Sequence, residues 1–128
     1  MADGARSPHP NALPNHQNAV ILRAKLEGYA LHPTHEAPDP SGHHGKDKAR
    51  KFKGALGFDQ SNWEVLAQRI MDELPYHEAI SKPQSEWGVP YDVDLPILGV
   101  NDNTAMVRTA WLIRRGTDHP SLITLWVL

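Results

Sequence analysis

The spacing of apolar residues along the chain changes once, near Pro83. Before that point apolar residues recur every three or four positions in three stretches, which is typical of amphipathic helices. After it they alternate with polar residues, which predicts β-strands. Helices followed by strands predict an α+β fold, in which N-terminal helices pack on one face of a C-terminal antiparallel meander sheet.

The helix predicted for residues 46–56 has a lysine where its apolar face should be. Gly57 ends this helix. At 100° per residue, Lys48 lies within the apolar stripe beside Phe52, whereas Arg50 points away from it. We therefore expect a cation where this helix meets the rest of the fold. The stripe itself consists of Ala49, Phe52, Ala55 and Leu56.

Prolines end the other two helices. The first ends before Pro33, and Lys25 lies near the edge of its apolar stripe. Residues 59–74 form the most regular helix, and the spacing of Ser61 and Glu64 predicts a capping box near its start. Nothing in that helix indicates chemistry, so we interpret it as structural.

Three strands are expected after the helices. The stretch Trp87–Ile97 contains two prolines, which favours an edge strand. The turn residues of Gly99–Asn103 predict a hairpin. It leads into a strongly alternating strand, Thr104–Arg114, and a last strand is expected at Ser121–Leu128.

Length and composition favour a single soluble domain. The chain has 128 residues and no cysteine, which excludes disulfides and thiolate metal sites. No apolar run reaches the roughly 18 residues of a membrane span, so no membrane partner is expected. Residues 1–18 are rich in Pro, Asn and His and lack an apolar segment, so we expect a disordered leader or linker, followed by one domain over residues 19–128.

The net charge of −2 conceals one strongly basic segment. It contains Lys46, Lys48, Arg50, Lys51 and Lys53, with Asp47 as its single acid. The residues after it are mostly acidic, so attraction to nucleic acid is expected to be local rather than spread over the whole surface. Lys46, Arg50, Lys51 and Lys53 are therefore the candidate nucleic-acid-binding residues.

The order of several short motifs resembles a small bacterial domain family of unknown function. The motifs are K-L-x-x-Y-x-L-x-P-x-H from Lys25 to His35, G-x-x-K-A-x-x-F from Gly45 to Phe52, L-G-F from Leu56 to Phe58, V-x-T-x-W from Val107 to Trp111 and L-x-T from Leu122 to Thr124. The chain departs from the family pattern at Ala30 and Lys51, where the family has Leu and Phe, and its loop between His35 and Lys48 is longer.

The order of helices and meander also resembles the barnase–EndoU–colicin–RelE-like superfamily of metal-independent ribonuclease toxins. That resemblance implies a His or Lys on the helical side facing Thr, Ser or Arg on the sheet. Cleavage of RNA without metal needs a proton acceptor, a proton donor and a fixed cation. We expect His35 to be the acid–base, Lys48 the phosphate cation, Lys25 a second cation, and Thr109 and Thr124 hydroxyl donors from the sheet.

This reading implies RNA, such as tRNA or another structured RNA, as the substrate and no cofactor. A toxin of this kind implies a cognate immunity or antitoxin protein as a partner. Its site of action would be the cytoplasm, including that of a recipient cell.

Less specific interpretations stand beside this one. His35 fits a histidine in a solvated loop, and Lys25 fits a surface lysine. Lys48 fits a lysine whose aliphatic stem covers Phe52. Both threonines fit ordinary packing within a strand. A zinc site in the histidine-rich loop is a further alternative; its candidate ligands are His32, His35, Glu36, Asp39, His43, His44 and Asp47. Trp87, Trp111 and Trp126 fit the core better than a base-stacking platform. The alternative functions are a binding module that uses helix 46–56 and an interaction domain.

Overall fold

A computed structural model describes residues 6–33 and 45–128, the side chain of Lys46 excepted. The helices come first. A short helix α1 (Arg23–Lys25) continues as a π-helical turn (Leu26–Ala30), followed by α2 (Gly45–Leu56) and α3 (Trp63–Glu73). Short 3-10 turns flank them at His16–Asn18, Gln60–Asn62 and Leu74–Tyr76. None of the helices in the described ranges is long and apolar enough to cross a membrane.

The strands form one antiparallel meander. They are β1 (Ala79–Ser81), β2 (Gly88–Leu98), β3 (Thr104–Arg114) and β4 (Pro120–Val127), and they lie side by side in chain order. The core lies between the helices and one face of this sheet. Its members come from both layers and include Leu26, Phe52, Leu66, Val93, Val107 and Leu125, each no more than 1% exposed. The predicted α+β architecture is confirmed.

The hairpin between β2 and β3 fixes the C-terminal end of α2. Gly57 ends the helix with a φ of 79°, as its position in the sequence predicts. The Val100 N–H then donates to the Leu56 carbonyl at 2.9 Å, so the hairpin caps the helix. A side chain at Gly99 would meet that carbonyl oxygen at 2.3 Å, so only glycine allows this approach.

The predicted capping box lies two residues too late. Asp59 is the N-cap: its carboxylate accepts from the Ser61 N–H, and Asn62 Oδ1 accepts from the Asp59 N–H at 2.8 Å. Asp and Asn cap a helix as well as Ser and Glu, and the Gln60–Asn62 turn moves the first α-helical residue to Trp63. The pair Ser61 and Glu64 is therefore not the cap.

The expectation that β2 is an edge strand is wrong, because β1, which the sequence pattern did not reveal, pairs with it. β1 contacts only Tyr91–Val93. The Pro90 carbonyl accepts from Lys82 at 2.9 Å, so Pro90 faces the β1 side, and Pro96, six residues on, faces the same way. Proline has no N–H to donate to a neighbouring strand. At Pro90 and Pro96 the absent donor would face the β1 side of β2, beyond the three residues with which β1 pairs.

Packing extends further toward the N-terminus than the expected start at Ala19. Leu13 is completely buried in the core, and the Ala79 N–H donates to the Asn11 carbonyl at 2.9 Å. Residues 6–18 therefore differ from the expected disordered leader. A single apolar side chain in a proline-rich segment leaves no periodic pattern, so hydrophobic spacing cannot detect this packing.

We expect Leu13→Ala to lower the free energy of unfolding by about 2–5 kcal/mol, because it opens a cavity in the core. Leu22→Ala is the matched control: Leu22 is 57% exposed, and its loss should change stability by no more than about 0.5 kcal/mol. Urea denaturation of the three proteins provides the measurement. Equal stabilities would show that residues 6–18 do not contribute to the core.

Candidate functional site

Lys48 lies at the junction of the helices and the sheet, where the sequence predicts a cation. It belongs to the buried face of α2 together with Ala49 and Phe52, and only 2% of its surface is exposed. Lysine is rarely buried to this extent in folded proteins. Its location makes Lys48 the central residue of the candidate site.

Among the residues that the structure describes, three side chains lie close to the ammonium group of Lys48. Its Nζ donates a hydrogen bond to Thr124 Oγ1 at 2.6 Å. The ring centroids of Tyr29 and Trp126 lie 5.6 Å and 5.5 Å from Nζ, within cation–π range. The first helical segment, α2 and β4 therefore meet at one cation. We call Tyr29, Lys48, Thr124 and Trp126 the lysine cluster.

The register of β3 and β4 explains how Lys48 reaches Thr124. Thr124 is opposite Ala110 and Trp126 is opposite Arg108, whereas Leu125 is opposite Thr109. Residues opposite each other share a face of the sheet, so Thr124 and Trp126 lie on the face away from the core. Among the described strands, β1 and β4 form the two edges of the sheet, so a lysine from α2 meets these side chains at the β4 edge.

Burial lowers the pKa of Lys48 to about 8, because removing the ammonium from water disfavours its charged form. The hydroxyl of Thr124 is neutral, so this hydrogen bond does not cancel the charge. Desolvation also raises the pKa of Tyr29. A lysine with a pKa near 8 both carries a positive charge and exchanges a proton close to neutral pH.

The other expected catalytic residues divide into two groups. His35 lies outside the described residues, as does most of the histidine-rich loop, so its expected role stays a prediction. Lys25 is half-buried in α1, four residues before Tyr29. Within the described part of the chain, the Lys25 side chain makes no hydrogen bond or ion pair, so no contact there places it in the lysine cluster.

Thr109 belongs to the core rather than to the lysine cluster. It is completely buried on the helix-facing side of β3. Its hydroxyl donates to the Val93 carbonyl at 2.7 Å and accepts from Trp111 Nε1 at 2.8 Å. These two bonds hold the Trp111 indole in place and use the Thr109 hydroxyl as both donor and acceptor. The structure therefore brings Thr124 to Lys48 but gives Thr109 a packing position.

Three of the four expected nucleic-acid-binding residues, Arg50, Lys51 and Lys53, lie on the outer face of α2. The Arg50 side chain is 79% exposed and lies 3.8 Å from Asp47, and Lys51 is also exposed. Lys53 Nζ is 2.9 Å from the carboxylate of Asp59. Hydrogen bonds from Lys53 and Ser61 lower the pKa of Asp59 to about 2. Nothing is described of the Lys46 side chain, so its role also stays a prediction.

A cleft of about 750 Å³ lies beside the outer face of α2. Arg50 and Lys53 line it from the helix, and Leu31 and Pro33 line it from the opposite wall. Lys48 is not part of its lining. The exposed cations and the lysine cluster are therefore separate features of the same helix.

Within residues 6–33 and 45–128, no group of three or more His, Asp or Glu is arranged to hold a metal ion. Most of the candidate zinc ligands, from His35 to His44, lie outside those ranges. The zinc alternative therefore stays open.

Sequence reasoning missed the two aromatic residues of the lysine cluster. Tyr29 carried a signal, because it follows Lys25 by four residues within the K-L-x-x-Y motif and so lies on the same side of a helix. Trp126 carried a weaker one, because it shares a strand face with Thr124, two residues away. Neither pattern reveals that both rings approach Lys48.

The fold and the site together define an α+β domain with a buried lysine at the junction of a helix and an outer strand. A family model described as a domain of unknown function (DUF6883) matches residues 12–128, and the chain belongs to this family. The resemblance to a domain family of unknown function is thus confirmed, while the link to ribonuclease toxins stays a proposal. No curated protein matches the chain, and no solved structure matches it.

We expect the burial of Lys48 to make stability depend on pH. Between pH 8 and 10.5 the unfolded chain holds the Lys48 proton more tightly than the folded chain does. The free energy of unfolding should therefore rise with pH across this window, by about 3 kcal/mol relative to Lys48→Met. Urea denaturation of both proteins from pH 7 to 10.5 tests this, and a constant difference between them would show that the ammonium is well solvated.

We expect Thr109→Val to lower the free energy of unfolding by about 1–3 kcal/mol, because it leaves the buried Trp111 indole N–H without its partner and removes the hydroxyl bond to the Val93 carbonyl. Thr104→Val, at an exposed position on the same strand, is the control and should be nearly neutral. Thermal or urea unfolding measures both. Equal stability of Thr109→Val and the wild type would remove the assigned packing role.

Proposed function

We propose that this protein is a small metal-independent ribonuclease of the toxin or effector type. The observation that carries the proposal is the buried contact between the Lys48 ammonium and the Thr124 hydroxyl. An apolar side chain of similar length would fill this place in α2 without the desolvation penalty of a charge. Residues that reduce stability in this way occur often at functional sites.

The chemistry proposed for the site needs no metal. A base removes the proton of an RNA 2′-hydroxyl, the 2′-oxygen attacks phosphorus, and the bond to the 5′-oxygen breaks as an acid protonates it. The products are a 2′,3′-cyclic phosphate and a 5′-hydroxyl. Lys48 stabilises the extra negative charge on the phosphoryl oxygens, and Thr124 Oγ1 donates a hydrogen bond to one of them.

His35 is the proposed acid–base in this scheme, and Lys25 is a second cation near the substrate. Histidine suits the role because its pKa lies near neutrality. Lys48 suits the role of phosphate cation because its electric field is screened less in a low-dielectric site than in water. The resemblance to ribonuclease toxins supports the pairing of a His or Lys with a sheet hydroxyl.

Substrate binding must open the site. With 2% of Lys48 exposed, a phosphate reaches Nζ only after side chains around it move. The rings of Tyr29 and Trp126 are part of that surrounding layer. We therefore expect RNA binding to include a local opening, as occurs in enzymes that exclude water from the reacting groups.

The proposal also gives the protein a biological setting. RNA such as tRNA is the substrate, the site of action is the cytoplasm, and a cognate immunity protein protects the producing cell. Expression without such a partner should then stop growth.

The decisive experiment is an RNA cleavage assay with purified protein, tRNA and an excess of EDTA. We expect fragments ending in a 2′,3′-cyclic phosphate. His35→Ala should reduce kcat/KM by about 10²–10⁴-fold, and Lys48→Met by about 10²–10³-fold. In the wild type kcat/KM should fall as pH rises through about 8, because Lys48 then loses its charge. Lys48→Arg should remove this decline, since arginine stays charged.

Matched controls separate catalysis from folding. His16→Ala changes another histidine and Arg69→Met another cation, both away from the lysine cluster, and both variants should keep full activity. Intact RNA after incubation with wild-type protein would overturn the proposal. If RNA stays intact but binds with a steep salt dependence, the exposed Arg50, Lys51 and Lys53 favour a non-catalytic binding module instead.

A further inference from the structure

Trp87 does not occupy the core position that its sequence pattern favours. Its surface is 69% exposed, whereas Trp111 is 1% exposed and fully part of the core. Trp87 lies immediately before β2, at the end of the sheet. An exposed indole of this size is unusual enough to require an explanation.

The backbone around Trp87 is held in a fixed position. The Trp87 N–H donates to Ser85 Oγ at 3.1 Å, and its carbonyl accepts from the Arg115 N–H at 2.9 Å. The next residue, Gly88, has a φ of 144°, and a side chain there would meet the Ile113 carbonyl oxygen at 2.1 Å. Only glycine permits this close approach of two strands. The indole is thus exposed on a rigid support.

Trp87 lies at one end of an apolar groove of about 260 Å³ on the face of the sheet away from the core. Other lining residues are Pro90, Ala110, Leu112 and Ile123. Ala110 is the strand partner of Thr124, and Ile123 directly precedes Thr124. The groove therefore begins beside the lysine cluster and runs along β3 toward Trp87.

Two cations accompany the exposed indole. Arg114 is the strand partner of Gly88, and Arg115 follows it; both are exposed. On β3, Arg114 lies on the same face as Ala110 and Leu112, because every second residue of a strand shares a face. The distance from Ala110 to Arg114 along β3 is roughly 13 Å at 3.3 Å per residue. Two acids oppose an anionic ligand here: Glu86 is exposed beside the arginines, and Asp92 lines the groove.

We propose that this groove is a subsite for an unpaired nucleotide of the RNA substrate, with its base stacked on Trp87 and a phosphate held by Arg114 and Arg115. Exposed aromatic rings next to cations are how proteins bind single strands, because every base has a face that can stack. Paired bases are stacked within the helix and cannot lie on the indole. The site therefore selects single-stranded segments, such as loops and ends of structured RNA. The position of the subsite beside the scissile phosphate rests on the proposed ribonuclease function.

The test measures binding separately from cleavage. The probe is a fluorescent ten-nucleotide 2′-O-methyl RNA, which lacks the nucleophilic hydroxyl, compared by anisotropy with its duplex. We expect the single strand to bind more tightly than the duplex. Trp87→Ala should weaken single-strand binding roughly 5- to 100-fold, while Trp87→Phe retains most of it.

The charges near the groove provide a second measurement. Arg114→Ala and Arg115→Ala should each reduce the slope of log Kd against log salt by roughly 0.7, the value for one phosphate on a single strand. Glu86→Gln should tighten binding. Ile80→Ala, an exposed apolar residue outside the groove, is the control for Trp87→Ala and should leave Kd unchanged.

Each outcome decides the proposal. Equal binding by Trp87→Ala and the wild type, or equal binding of duplex and single strand, would overturn it. So would Trp87-dependent self-association in sedimentation, which would assign the groove to a second copy of the chain. If uncut RNA still binds through Trp87, the subsite stands and the ribonuclease fails. If RNA is cut equally well by Trp87→Ala, the ribonuclease stands and the subsite fails.

Discussion

The hydrogen bond between Lys48 and Thr124 is the interaction on which the rest of this site depends. It joins a helix to the outer strand of the sheet through a positive charge that is almost completely buried. Such a charge is stable only where polar or π-electron groups replace its lost water. Thr124, Tyr29 and Trp126 provide those groups, and each comes from a segment that the fold must bring into place.

The scaffold fixes both the C-terminal end of α2 and the rotation of this helix about its axis. At its C-terminal end the β2–β3 hairpin caps the Leu56 carbonyl, while the apolar face around Phe52 fixes its rotation against the core. The same rotation that buries Phe52 directs Lys48 inward and Arg50 outward. The exposed cations and the buried Lys48 thus follow from a single helix orientation. The twelve residues of α2 therefore combine exposed positive charges, which attract anions, with one positive charge that is removed from water.

Much of the architecture could be predicted from the sequence, because it is encoded in local periodicity. The change from a helical to an alternating period predicted the α+β order, and Gly57 predicted the end of α2. The position of Lys48 within an apolar stripe predicted its burial. One error arose because more than one nearby side chain can cap the same backbone N–H groups, and Asp59 does so instead of Ser61. Another arose because Leu13 packs into the core as a single apolar residue, which leaves no periodic pattern.

The sequence by itself determined the order of helices and strands and which helix face carries the unusual lysine, since these depend on neighbours two to four positions apart. Only the tertiary structure decided which side chains contact Lys48 and which face of the sheet each strand threonine occupies. The β-bulge between Ala110 and Trp111 and the register of β4 set Thr124 on the outer face and Thr109 in the core, although both look alike as strand threonines. Strand register depends on contacts between distant segments, and a shift of one residue exchanges the two faces of a strand.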